Sequence, residues 1–149
     1  MTYRFDDLEL NLEYDVFPPS LNGNDGLIRM HWRTYMEVRD QWENRVWYNL
    51  SPEQRQFFQE HHFIQCVITY TRRTTHRTGL DWVNLAASVK IPEDALVRCG
   101  ILSDDNPDVV RYELPRQVHV RHREQQGIHL HICGTVVPKT NKVFHAREQ

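Results

Sequence analysis

Leu8, Leu10, Leu12 and Tyr14 alternate with Glu9, Asn11 and Glu13, and this two-residue period predicts a strand with one wet face. Phe17-Pro18-Pro19-Ser20 ends it, because proline cannot donate to a sheet ladder. The loop SLNGNDG follows, with Asn22-Gly23 and Asp25-Gly26 as candidate tight turns. Asn24 supplies turn geometry there, and Asn22 either the same or a contact to substrate. From Met30 to Leu50 the period lengthens. Trp32, Tyr35, Met36, Trp42, Val46 and Leu50 recur at three- and four-residue steps and predict an amphipathic helix. Ser51-Pro52-Glu53 reads as an N-cap with proline at the first helical position, opening a short second helix through Phe58. The run from Phe63 to Thr71 is rich in β-branched and aromatic residues and predicts a buried strand.

The stretch from Leu80 to Asp105 predicts a helix capped by Asp81, kinked or restarted near Pro92 and ended by Gly100 at C′. At 100° per residue Trp82, Leu85, Val89, Leu96 and Cys99 form its core stripe. Asn84, Ala87, Ser88, Ile91, Asp94 and Arg98 form another face, small enough in part to admit a partner or ligand. Lys90 and Asp94 stand four apart, at ion-pair spacing. Asp104-Asp105-Asn106-Pro107 reads as a turn. Val109 to Val120 is a strand interrupted at Pro115. Gly127 to Gly134 is a final strand, with Ile128, Leu130 and Ile132 on one face and His129, His131 and Cys133 on the other. A polar, frayed tail is expected from about residue 138.

These elements give an α+β class: a single domain with a small mixed β-sheet packed against two main helices, within the usual size of one domain for 149 residues. No apolar leader and no membrane-length apolar run occurs in the sequence. Three isolated cysteines, Cys66, Cys99 and Cys133, fit a reduced cytoplasmic protein without a disulfide framework. A formal net charge of −2 does not itself announce a nucleic-acid binder, but its distribution is uneven. Arg72, Arg73 and Arg77 precede Asp81 among threonines, as a solvated loop or as phosphate contacts. Arg29, His31 and Arg33 open the first long helix, where positive charge opposes the macrodipole and invites an anion. Carboxylates at both ends of the Asp81–Asp105 unit, with Lys90 between, suit a hard divalent cation and a phosphate. His129, His131 and Cys133 share a face and constitute a separate zinc alternative.

The order of these signals resembles the RusA family of Holliday-junction resolvases. The residues that carry the resemblance are Pro18-Pro19-Ser20-x-Asn22 after a first strand, then Asp81-x-x-Asn84-Leu85, Lys90, Asp94-Ala95-Leu96, Gly100 and Asp104-Asp105. It spans about Leu8 to Ile132. The interval from Asn84 to Lys90 is about one helical turn longer than in the best-known member, a spacing associated with phage and prophage relatives. The resemblance implies a homodimeric endonuclease that binds four-way or branched DNA in recombination and repair, and cleaves it with Mg²⁺, or Mn²⁺ in its place. It implies Asp81, Asp105 and Lys90 as catalytic residues, Asp81, Asp105 and Asp104 as metal ligands, and Arg72, Arg73, Arg77, Asn22 and Asn84 as DNA contacts. One position departs. The family carries Asp-x-Asp-Asn-Leu, and here Val83 stands where the second acid belongs. A branched-DNA-binding protein of the same fold without catalysis is the alternative.

Overall fold

Alternation along β1 (Phe5–Tyr14) becomes a two-faced strand in the computed structural model, which describes residues 5–23 and 25–139. Asn24 and the tail from residue 140 lie outside the described residues. A 3₁₀ turn at Leu27–Arg29 leads into α1 (Trp32–Asn49), whose N-cap His31 accepts from the Arg33 backbone N–H through Nδ1 at 3.2 Å. Ser51 then caps α2 (Pro52–Glu60) reciprocally with Gln54, the backbone N–H of each meeting the side chain of the other at 2.9 and 3.1 Å. After β2 (His61–Thr74) come α3 (Trp82–Ala87) and α4 (Lys90–Arg98), then β3 (Val110–Tyr112), β4 (Arg116–His119) and β5 (Gly127–Pro138).

The five strands form one mixed sheet in the order β1-β5-β2-β3, with β4 following β3 along the same edge of β2. The β1–β5 and β5–β2 pairs are antiparallel; β3 and β4 both run parallel to β2. One face of the sheet carries Leu10, Leu12, Ile68, Tyr70, Ile128, Leu130 and Ile132, all buried against a helical layer that contributes Trp42, Val46, Leu85, Ile91 and Leu96. Each such aliphatic side chain taken out of water contributes about 1.5–3 kcal/mol. The opposite face presents Glu9, Glu13, Thr69, Arg73, His129 and His131, none of them buried. At the start of β5, Gly127 has φ +147, and a Cβ there would sit 1.9 Å from the Tyr14 carbonyl oxygen, so only glycine lets the two strands meet. No helix among the described residues is long and apolar enough to cross a membrane.

Three sequence expectations change. Arg72, Arg73 and Thr74 are not loop but the last residues of β2, drawn into the sheet by parallel pairing with Gln117, Val118 and His119 of β4. The helix expected from Asp81 to Cys99 is two helices, separated at Ser88–Val89, and Pro92 lies in the first turn of α4, where its missing N–H is not needed. The break resets the helical wheel. Trp82, expected in the core stripe, is 55% exposed, while Asn84, Ser88 and Ile91 are buried instead. Ser88 fixes the break: its hydroxyl donates to the Leu85 carbonyl at 2.7 Å and meets the Tyr70 hydroxyl at 2.8 Å.

Candidate nucleic-acid interface and carboxylate site

Asp81 caps α3 with one oxygen. Its Oδ1 accepts from the Asn84 backbone N–H at 2.9 Å and from Asn84 Nδ2 at 3.0 Å. Those two bonds, backbone first, outweigh desolvation and hold the Asp81 carboxyl below the ordinary aspartate range, with help from the Val83 backbone N–H. Asn84 is itself buried, and its Oδ1 accepts from the Asn22 backbone N–H at 2.9 Å. The loop after β1 is thereby fastened to the start of α3. It also closes on itself, with Leu27 N–H donating to Ser20 O at 2.8 Å and Ile28 N–H to Leu21 O at 3.1 Å. Asn22, Asn84 and Asp81 are brought together as one network.

A second cluster forms around α4. Lys90 Nζ donates to Asp94 Oδ1 at 3.1 Å, and the Tyr35 hydroxyl of α1 donates to the other oxygen of Asp94. Burial alone would lower the Lys90 pKa, but the bond and charge of Asp94, with Glu93 and Asp105, raise it above the ordinary lysine value. Glu93 accepts from the Tyr112 hydroxyl of β3. Burial raises the Glu93 carboxyl, Asp105 and Asp94 add to the shift, and Tyr112 and Lys90 oppose it. Tyr35 is pushed up to about 12, first by burial and then by Asp94. Asp105 is exposed, and its charge reaches Lys90, Glu93 and Tyr112. Asp104 is engaged in the turn, accepting from the Asp105 backbone N–H at 2.8 Å and from Asn106 Nδ2 at 3.2 Å.

The carboxylates that the resemblance implies as metal ligands take part in two separate hydrogen-bond and charge networks. Among the described residues no three His, Cys, Asp or Glu side chains gather in a group that could hold a metal ion. Asp81 belongs to the α3 cap and Asp105 to the α4 cluster. Val83, 57% exposed at the start of α3, offers no ligand atom. One acid of the three-acid Mg²⁺ or Mn²⁺ site that the resemblance implies is therefore missing at position 83. Of the residues in the zinc alternative, His129 is hydrogen-bonded to Asn11 at 3.0 Å and His131 lies 3.7 Å from Glu9.

The three arginines before Asp81 go three ways. Arg72 is buried, with its guanidinium 4.0 Å from the Phe17 ring centroid and one N–H on Gln117 Oε1 at 3.2 Å. Burial lowers its pKa. Arg73 points to the other face and pairs with Glu13 at 3.1 Å, while Arg77 is exposed in the loop beyond β2. Gln117 holds that loop, accepting from the Leu80 backbone N–H at 2.9 Å and donating to the Leu80 carbonyl at 3.1 Å. Arg72 thus acts through Gln117 on the approach to Asp81. Sequence reasoning missed Gln117, Tyr35, Glu93 and Tyr112. Glu93 adjoins Asp94 in the motif and was within reach; the roles of the other three depend on which strands and helices become neighbours. Beside the α4 cluster lies an apolar cavity of about 280 Å³ lined by Tyr70, Ala86, Val89, Tyr112 and Pro115.

No protein-family model matches the chain, and no curated protein matches it.

Proposed function

We propose that this chain is a RusA-like protein that recognises branched DNA of the four-way-junction kind, with its Mg²⁺-dependent endonuclease chemistry limited by the missing acid at position 83. The observation that carries the reading is the network at Asn84. Three motif residues separated by as many as 62 positions, Asn22, Asp81 and Asn84, meet there through hydrogen bonds. Lys90, Asp94 and Asp105, also motif residues, meet in the α4 cluster, in which the lysine stays cationic and pairs with Asp94. Binding without cleavage is favoured by one specific feature: an exposed valine stands where the resemblance calls for an acid.

The test measures binding and cleavage side by side. Affinity for a four-way junction should exceed that for duplex and fall linearly with salt on logarithmic axes, as counterion release requires. Val83→Asp should increase Mg²⁺-dependent junction cleavage at least about tenfold, equivalent to about 1.4 kcal/mol of barrier. Equal affinity for junction and duplex overturns the reading. A junction-selective protein that cuts with neither valine nor aspartate at 83 is a binding protein only. A homodimer belongs to the same proposal, because a four-way junction presents two equivalent strands to a two-fold assembly. Sedimentation at micromolar concentration should give twice the 17.9 kDa chain mass, and a clean monomer with and without DNA counts against paired incision.

A further inference from the structure

Trp32 and Met36 stand one turn apart at the start of α1, exposed by 60% and 41%, and Ile28, in the 3₁₀ turn just before it, is 66% exposed. At the start of α3, Trp82 and Val83 are 55% and 57% exposed. The same pinned loop serves both places, because Ile28 N–H bonds to Leu21 O and the next residue, Asn22, bonds to Asn84. The charges around Trp32 are of one sign. The Arg33 guanidinium lies 5.3 Å from the Trp32 ring centroid, the His31 ring centroid lies 5.8 Å from it, and Arg29 is exposed without an ion pair among the described residues. The first turn of α1 contains no acid to neutralise them. A large exposed ring with a guanidinium against it and a second arginine three residues away is poorly matched to an ordinary apolar protein partner. It suits a strand whose bases stack and whose phosphates need cations.

We infer that Trp32 and Trp82 are stacking platforms for unpaired bases of a single-stranded segment, with Arg29 and Arg33 following its backbone. The inference rests on the branched-DNA reading and deepens it: the feature recognised at the branch is the local loss of base pairing. A second copy of this chain seated on the same patch is the competing occupant.

The test uses the full chain with three probes: a twelve-nucleotide oligothymidylate, a fully paired four-way junction, and the same junction with unpaired thymidines at the crossing. Oligothymidylate should quench the tryptophan fluorescence, because Trp32 and Trp82 are exposed whereas Trp42 is buried. Trp32→Ala and Trp82→Ala should each weaken oligothymidylate binding about fivefold or more, and Trp32→Phe should restore most of the loss. The unpaired junction should bind more tightly than the paired one, and the alanine variants should erase that difference. Arg29→Ala with Arg33→Ala should reduce the single-strand salt slope by about 1.4. Absence of quenching, or unchanged affinity in both tryptophan variants, overturns the inference. So does a tryptophan variant that turns a dimer into a monomer and loses affinity only through that change, because the patch then holds a second copy. Quenching by oligothymidylate without selectivity for either junction would leave the stacking platforms standing and remove the branched-DNA reading. Junction selectivity without quenching would do the reverse.

Discussion

Asn84→Ala isolates the link between the first loop and the carboxylate site. Of the three hydrogen bonds that join Asn22, Asp81 and Asn84, the substitution removes the two made by the side chain, at 2.9 and 3.0 Å, and keeps the backbone cap at 2.9 Å. The bond from the Asn22 N–H is received by a side chain only 9% exposed, and losing it costs about 0.5–1.5 kcal/mol net. The bond to Asp81 is screened by water, because that carboxylate is open to solvent. Alanine recovers a few tenths of a kcal/mol in helix propensity, leaving about 1 kcal/mol of destabilisation. For a chain of this length that lowers Tm by about 2–4 °C. The Asp81 pKa should rise towards the ordinary value yet stay below it, since the backbone bond, the larger cause, survives. A depressed carboxylate stabilises the fold above its unfolded pKa and loses that contribution as pH falls through its folded pKa. The deficit of the variant is therefore largest at neutral pH and shrinks in acid. Calorimetry across pH, together with carboxyl-carbon NMR titration of Asp81, measures both effects. An unchanged Asp81 titration with Tm within about 1 °C of the parent would refute the reasoning, since the network would then hold neither the loop nor the charge.

Ser88→Ala leaves the Tyr70 hydroxyl, on a residue 1% exposed, without its partner; urea unfolding should show a loss of about 1–3 kcal/mol, and an unchanged midpoint would mean that the hydroxyl has found another acceptor. Glu93→Gln addresses a carboxyl whose pKa is raised, chiefly by burial, so the wild-type residue contributes stability that is complete below its unfolded pKa and lost as pH rises through its folded pKa. The glutamine variant should therefore gain on the parent as pH rises above the ordinary glutamate range in thermal scans, and a difference independent of pH would count against burial as the cause.

The periodic elements were legible because burial and period coincide in them. Leu8 to Tyr14, the α1 stripe through Trp42 and Val46, the Ser51 cap, Gly100 at φ +77 and the alternation from Ile128 to Ile132 all follow from local pattern. Arg72 misled because residue type outweighed position: strand alternation places it on the core face, where Phe17 and Gln117 receive its guanidinium. Trp82 misled because its spacing from Leu85 matches the core stripe, yet as the first residue of α3 it lies exposed. At the site, Asp81, Asn84 and Lys90 could be picked out by type and spacing. The partnership of Asn84 with Asn22, or of Asp94 with Tyr35, could not, since each crosses about 60 residues of chain and exists only once the elements have packed.

The position of β5 between β1 and β2 has a consequence for how the protein comes into being. β1 is made first, yet its ladder partner lies more than a hundred residues later, as the contact of Asn11 with His129 across 118 positions illustrates. During synthesis the apolar side of β1 has no strand to join, and β2 lacks its antiparallel neighbour until Gly127–Pro138 has left the ribosome. Only contacts such as those of α1 with α4 and of β2 with β3 and β4 can form earlier. Closing so long a loop comes before the contacts that reward it, which slows folding and prolongs the exposure of unpaired strand edges. Until the fifth strand is made, the first and second strands each keep an edge without its antiparallel partner.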